Sequence, residues 1–277
     1  MNFMKHVYFM VLCIINTHSA CTDNNFEFNT FVIIIPSYNN AKYYKWNLDS
    51  VLNQDCERYR IIYIDDNSTD GTGDLVEKYV AQHPNKSKVT ILRNTDRKGA
   101  LENLYHAIHS CLPHEIIVTV DGDDALIDNA VLLRLDKIYT PDVWMTYGQF
   151  YWYPSYDLGC AAQVPEHIIT SNTLRTCLLG PWCMTHLRTF RAGLFCKIIE
   201  KDLKYKGEFF DMAWDVAIML PMAEMAGYKH ARFVDVPLYL YNYSNPLCDH
   251  AIGRDRQVYL DNVIRKRPAY KPLEYLY

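Results

Sequence analysis

Phe31-Val32-Ile33-Ile34-Ile35-Pro36 is a continuous apolar run, rich in β-branched side chains and closed by a proline. A strand wetted on one face alternates apolar with polar residues, whereas one buried on both faces, as in a parallel sheet, does not. The run therefore predicts a central parallel strand, and the polar residues Ser37 to Asn40 predict the turn that follows it. Working outward, residues 41–53 set Tyr44, Leu48, Val51 and Leu52 at helical spacing, and Ile61-Ile62-Tyr63-Ile64 forms the second strand. This βαβ unit repeats, with helices expected over 70–82 and 99–110 and strands over 88–92 and 116–120. In an open α/β sheet the ligand crevice lies outside the carboxyl ends of the strands. The loops after Pro36, Asp65 and Asp121 are accordingly expected to converge on one pocket.

Beyond residue 130 the alternation weakens. A helix is expected over 129–138, an aromatic strand over 144–153 and a loop-like stretch to Thr173. Structure returns over 182–191, with a helix over 211–226 and a closing strand over 233–241. No linker rich in Gly, Pro or Ser and no internal repeat divides the chain.

With 277 residues, 49% of them hydrophobic and 22% charged, the chain has the material for one substantial core. A formal net charge of −4 and a pI near 6.2 give no footprint for a polyanion, so nucleic acid is not an expected partner. The 22 tyrosines suit carbohydrate contact, because flat rings stack on sugar C–H faces while hydroxyls hydrogen-bond, although most such rings belong to a core. Lys5 and His6 ahead of the apolar run Val7 to Ile15, with Ser19-Ala20 behind it, read residues 1–20 as a signal peptide and point to export; the alternative is a cytoplasmic or membrane-peripheral protein. The run is too short for a membrane span. Nine cysteines without a CxxC argue against zinc; Cys160, Cys177, Cys183 and Cys196 are close enough in sequence to pair in an exported chain, although buried free thiols are the commoner explanation. The sequons at Asn67, Asn85 and Asn242 are read as chance matches.

Two strand ends carry the chemistry. Val118-Thr119-Val120 runs into Asp121-Gly122-Asp123-Asp124, and carboxylates two residues apart can share one hard divalent cation that also holds a diphosphate. A solvated acidic turn capping the next helix is the plain alternative. Ile62-Tyr63-Ile64 likewise runs into Asp65-Asp66-Asn67-Ser68-Thr69-Asp70, where Ser68, Thr69 and Asp70 can cap a helix. Capping does not account for Asp65 and Asp66 together, since burying adjacent acids is costly without partners.

Pro36-Ser37-Tyr38-Asn39, Gln54, Ile64-Asp65-Asp66-Asn67-Ser68-Thr69-Asp70-Gly71-Thr72, Asn94 with Gly99 and Asn103, and Asp121-Gly122-Asp123-Asp124 together resemble the family 2 glycosyltransferases over residues 30–130. The resemblance implies a GT-A type α/β fold: a Rossmann-like mixed sheet, mostly parallel, flanked by helices, with a decorated acceptor-side C-terminal half. It implies one domain over 30–245, with a nucleotide-binding half (30–130), an acceptor-binding half (131–245) and a C-terminal tail (246–277). It further implies a glycosyltransferase of the hexosyl or N-acetylhexosaminyl class, using a nucleotide-diphospho-sugar donor, Mn2+ or Mg2+, and a glycan, lipid or protein acceptor.

Carried over by position, the resemblance places Pro36, Tyr38, Asn39, Asp66, Lys98, Gly99, Asp121 and Gly122 at the nucleotide and Asp121, Asp123 and Asp124 at the metal. It aligns Asp215, after Trp214 where the family prefers Glu, with the base that deprotonates the acceptor, and Asp211 is the rival one helical turn earlier. Partial burial beside Trp214 and Phe210 would raise the base's pKa toward the working pH. In-line attack with such a base would invert the anomeric configuration. Trp182, His186 and Arg188 fall where such proteins meet donor sugar or acceptor, and His250 is a residue that a folded-over tail would bring to the metal. Packing and structural hydrogen bonding are the plain roles for Trp182 and His186. A sugar nucleotidyltransferase would require a basic, Gly-rich loop after the first strand, which Pro36 to Ala41 does not offer. A noncatalytic sugar-binding or nucleotide-binding protein of the same fold draws support from Trp214 alone.

Overall fold

The computed structural model describes residues 28–177, 182–246 and 253–277. The signal segment at residues 1–20, His250 and the Gly180-Pro181 approach to Trp182 lie outside the described residues.

The first half follows the predicted alternation: β1 (Phe31–Ser37), α1 (Tyr44–Leu52), β2 (Tyr59–Asp65), α2 (Thr72–Gln82), β3 (Val89–Arg93), α3 (Ala100–His109) and β4 (Ile116–Thr119). β3, β2, β1 and β4 lie side by side, all parallel. Every residue of β1 is buried, as an unalternating run requires. Its side chains divide by parity. Val32 and Ile34 enter one core with Leu101, Leu104 and Ile108 of α3, while Phe31, Ile33 and Ile35 enter a second with Leu48, Val51 and Val76 of α1 and α2. The period of two thus places a helical layer on each face of the sheet.

The second half extends the same sheet in mixed sense. After β5 (Ala125–Leu126) and α4 (Val131–Ile138) come β6 (Met145–Tyr153), β7 (Asp157–Leu158), α5 (Glu166–Thr170), β8 (Thr189–Arg191) and α6 (Ala192–Phe195). A hairpin of β9 (Lys204–Tyr205) and β10 (Glu208–Phe209), helix α7 (Trp214–His230, interrupted at Gly227), β11 (Ala231–Asn242) and α8 (Arg254–Arg265) complete it. The sheet order is β3-β2-β1-β4-β8-β6-β11-β5, with β7 on β6. β8 is antiparallel to both β4 and β6 and joins the two halves.

Several expectations change. The strand read as closing, 233–241, is internal, parallel to β6 and antiparallel to β5. The stretch to Thr173, read as loop, carries β7 and α5, whose few residues are too short for a periodic signal. Only three residues of 182–191 are strand. The stretch 246–277, expected as a tail, supplies α8 and a segment whose Leu260, Ile264 and Leu276 enter the first core. Arg175 and Glu224 lock it in place: their buried, two-pronged ion pair (2.6 and 2.9 Å) takes the Ile264 carbonyl on Arg175 Nη1 and the Tyr270 amide on Glu224 Oε2. The described cysteines Cys160, Cys177, Cys183 and Cys196 are free thiols, and the sequon residue Asn242 is buried.

Candidate active site

A cleft of about 530 Å³ opens at the carboxyl ends of β1, β2 and β4, lined by Pro36, Tyr38, Asp66, Gly99 and the whole Asp121 to Asp124 turn. Asp211, Met212, Trp214, Tyr241 and Asn245 from the second half complete the lining.

The two adjacent acids after β2 are separated by what they face. Asp65, 2% exposed, faces Arg93 (3.5 Å) and takes the Ser68 amide. Asp66 accepts the backbone N–H groups of Lys98 (2.9 Å) and Gly99 (2.8 Å) and the Asn94 side chain (2.7 Å). Burial pushes the Asp66 carboxyl up, but Asn103, these amides and Asn94 outweigh it and hold its pKa below the ordinary range. Asn103 acts there by proximity, since its amide nitrogen meets no hydrogen-bond geometry among the described residues. Gly99, at φ 87, allows the chain to turn its amide onto the carboxylate.

Ser68 and Thr69, expected as caps, instead tie the two loops together. The Asn39 amide donates to Ser68 Oγ, and the Thr69 amide donates to Asn39 Oδ1. Asp70 accepts the Thr72 amide ahead of α2, whose cap position is Gly71, and it also takes the Ala41 amide. Asn39 therefore braces the loop and is not part of the cleft lining, whereas Tyr38 lines the cleft with the Arg97 guanidinium 3.9 Å from its ring centre. The Lys98 side chain reaches toward Glu102 (3.7 Å).

The Asp121 to Asp124 turn is held on every side. Gly122 donates to the Pro36 carbonyl, and a Cβ there would stand 2.5 Å from Ser37 Oγ, so only glycine allows β4 to end this close to β1. Asn47 of α1 donates to the carbonyls of Asp121 and Asp124. Tyr239 bridges the turn, its hydroxyl accepting from the Asp121 amide (3.0 Å) and donating to Asp124 Oδ2 (2.8 Å). Asn242 donates its amide to Asp124 Oδ1, and Asn245 donates to Asp123 Oδ2 (2.6 Å). Burial raises the Asp123 carboxyl against the opposing Asn245 bond. Burial, and then the charges of Asp123 and Asp121, push Asp124 well above the carboxylate range.

Three residues bring one donor atom each within 4.8 Å of the others: Asp121, Asp124 and His186. The resemblance assigned His186 to sugar or phosphate. The structure stacks it on Tyr239 (4.5 Å, 9°), with both ring nitrogens near Arg188 Nη2 (3.0 and 3.2 Å). Burial, then the Arg188 charge, lower its pKa well below the ordinary value, which leaves a neutral ring able to accept. Arg188, 3% exposed, is a buried cation beside the acids. It reaches Asp121 (3.8 Å) and Asp215 (3.4 Å), and its guanidinium lies 4.7 Å from the Trp214 ring centre. Asp215 occupies the first turn of α7 behind Trp214, and Asp211 on the cleft wall is forked by Arg256 (2.7 and 2.9 Å). Trp182 packs against the first core with Arg265 5.5 Å from its ring, outside the cleft lining.

A family model described as glycosyl transferase family 2 matches residues 32–196, more than half of the chain. The chain belongs to that family. Among curated relatives, the family member is 27% identical over 125 residues to glycosyltransferase GlyG of Streptococcus pneumoniae serotype 4, covering 45% of this chain and 40% of that one. It is 25% identical over 153 residues to the UDP-Glc:alpha-D-GlcNAc-diphosphoundecaprenol beta-1,3-glucosyltransferase WfgD of Escherichia coli, covering 55% and 57% respectively. The chain thus spans less than two thirds of the length of these relatives. In structure it is similar to residues 1–349 of S. aureus TarS in complex with UDP-GlcNAc (TM-score 0.55, 20% identity, 77% of this chain and 58% of TarS). It is similar also to the mannosyltransferase PcManGT of Pyrobaculum calidifontis in complex with GDP-Man and Mn2+ (TM-score 0.57, 21% identity, 87% and 65%). These likenesses establish the GT-A fold.

Sequence reasoning passed over Arg97, Tyr239, Asn242 and Asn245. Arg97 adjoins the flagged Lys98 and carries a local signal. The other three reach the acidic turn from more than 100 residues away and carry none.

Proposed function

We propose that the chain is a metal-dependent, inverting glycosyltransferase of the hexosyl or N-acetylhexosaminyl class. It would transfer a sugar from a nucleotide-diphospho-sugar to a hydroxyl of a glycan, lipid or protein acceptor. The observation that carries this reading is the meeting of the Asp66 cradle and the Asp121 to Asp124 turn on one cleft, which Asp211, Trp214 and Asn245 of the second half also line. The donors held by TarS and PcManGT, UDP-GlcNAc and GDP-Man, support the substrate class.

In this reading residues 30–130 form the nucleotide-binding half, with Tyr38, Asp66, Gly99 and Gly122 around base and ribose, and residues 131–245 form the acceptor half. Three mutually repelling acids suit a hard divalent cation, so Asp121, Asp124 and His186, with Asp123 adjoining, would hold it. When bound, Mn2+ or Mg2+ supplies positive charge to the diphosphate. Asp215 takes the acceptor hydroxyl proton as the oxygen bonds to the anomeric carbon. The anomeric carbon's bond to the phosphate oxygen breaks, the diphosphate leaves with the electron pair, and attack from the opposite face inverts the configuration. Arg188 holds Asp215 (3.4 Å), the residue after the cleft-lining Trp214. Asp211 is less suited as base because Arg256 occupies both its oxygens. Residues 1–20 are read as an export segment, a reading that N-terminal sequencing of the expressed protein tests.

UDP or GDP with Mn2+ should raise the melting temperature of the protein, and Asp123→Ala should abolish that rise. No shift with any nucleoside diphosphate would sink the reading.

A further inference from the structure

The net charge of −4 conceals an uneven distribution. Residues 253–277 carry six cationic side chains against three acidic ones, including the run Arg265-Lys266-Arg267. On the surface built by α8 and the β9–β10 hairpin, exposed lysines stand beside uncovered apolar groups. Val258 and Tyr259 of α8 and Ile199 beside the hairpin are each 52% exposed. Tyr259 meets Tyr205 hydroxyl to hydroxyl (2.7 Å), and Lys206 and Lys266 flank it. Lys201, Lys206 and Lys266 are exposed and form no ion pair among the described residues. Nearby acids are mostly engaged: Glu200 by Lys204, Asp211 by Arg256 and Asp261 by Arg265. Glu208, Asp255 and Glu274 are exposed and outside any ion pair among the described residues, fewer than Lys201, Lys206, Arg254, Lys266 and Lys271, which are likewise exposed and unpaired.

We propose that this face docks the protein on an anionic phospholipid surface. Lysines beside an anionic bilayer gain attraction from its surface potential, and tyrosine with aliphatic neighbours partitions to the headgroup level. A soluble polyanion would match the charges but leave Val258, Tyr259 and Ile199 in water. The placement has a consequence for the cleft. Arg256 in the first turn of α8 forks onto Asp211, and Gly253 packs against Met212, both of which line the cleft. Docking through α8 therefore sets the cleft mouth beside the membrane, within reach of an acceptor anchored there. The docking itself does not depend on the transfer reaction.

The test is co-sedimentation of the full chain with vesicles of mixed phosphatidylglycerol and phosphatidylcholine, against phosphatidylcholine alone. Binding is expected on the anionic vesicles only, weakening as salt rises. The pair Lys206→Glu and Lys266→Glu should lower it by at least about tenfold. The pair Val258→Ser and Tyr259→Ser should weaken it even at low salt. Unchanged melting temperatures establish that these exposed variants fold, and Lys266→Gln alone serves if a pair does not. Equal binding to both vesicle types, or binding indifferent to both pairs, overturns the proposal. So does capture by soluble polyphosphate with no added affinity for vesicles, or a dimer broken by the serine pair without vesicle binding.

Discussion

The Arg188 guanidinium lies 3.4 Å from the Asp215 carboxylate, and it reaches Asp121 on the other side of the site at 3.8 Å. One buried cation thus links the acidic turn at the end of β4 to the first turn of α7, the two elements that the proposed reaction must hold at fixed separation. Arg188→Met should therefore damage both folding and turnover. Leaving the two carboxylates without their cation is expected to cost about 3–5 kcal/mol in urea unfolding. Arg188→Lys keeps the charge but cannot span both acids with a planar fork, so it should recover stability more than activity.

Asp215→Asn separates the two roles. Nucleotide-induced stabilisation should persist, while the transfer rate falls by about 10²–10⁴-fold. Turnover unaffected by the change would eliminate Asp215 as the base and turn attention to Asp211.

Glu224→Gln tests the docking of the C-terminal segment. Both partners of the Arg175–Glu224 pair are buried, and each also holds a backbone group of residues 264–270. Breaking it should cost about 3–5 kcal/mol. Faster amide exchange across 254–277 than in β1 would locate the loss. Uniform exchange would contradict a local clamp.

Asp66 sets an acid limb. Its folded pKa lies below the ordinary value of 3.8, so its contribution is fully present above the unfolded pKa and is lost as pH falls through the folded one. Melting temperature should accordingly drop as pH falls below about 4. Asp66→Asn should be less stable at neutral pH and show a shallower drop. A variant whose acid limb matches the parent's would show that other carboxylates, such as Asp70, carry it.

Gly122→Ala places a Cβ 2.5 Å from Ser37 Oγ and 2.6 Å from Ser37 Cβ. The expected loss is about 1–3 kcal/mol, because β4 must move away from β1. Nucleotide-induced stabilisation should shrink with it, as read by thermal shift against the parent.

The nucleotide half was legible because its signals are local. A strand buried on both faces shows itself in five consecutive residues, a helix in four spaced ones, and β1 to β4 follow in the predicted order. The acidic strand ends were legible for the same reason, since chain direction in a parallel sheet brings them to one edge. Helix starts fall two or three residues later than expected at α2 and α7, which begin at Thr72 and Trp214.

What the sequence by itself determined is therefore the parallel βαβ core and the edge on which Asp66 and Asp121 to Asp124 lie. The tertiary structure alone decided what surrounds them: Tyr239 and Asn242 on Asp124, Asn245 on Asp123, His186 beside the acids and Arg188 between Asp121 and Asp215. Periodicity records which face of an element is buried, and it carries no information about which residues of different elements will meet. Those meetings are set by how β8 and β11 add to the sheet, which depends on packing between whole layers.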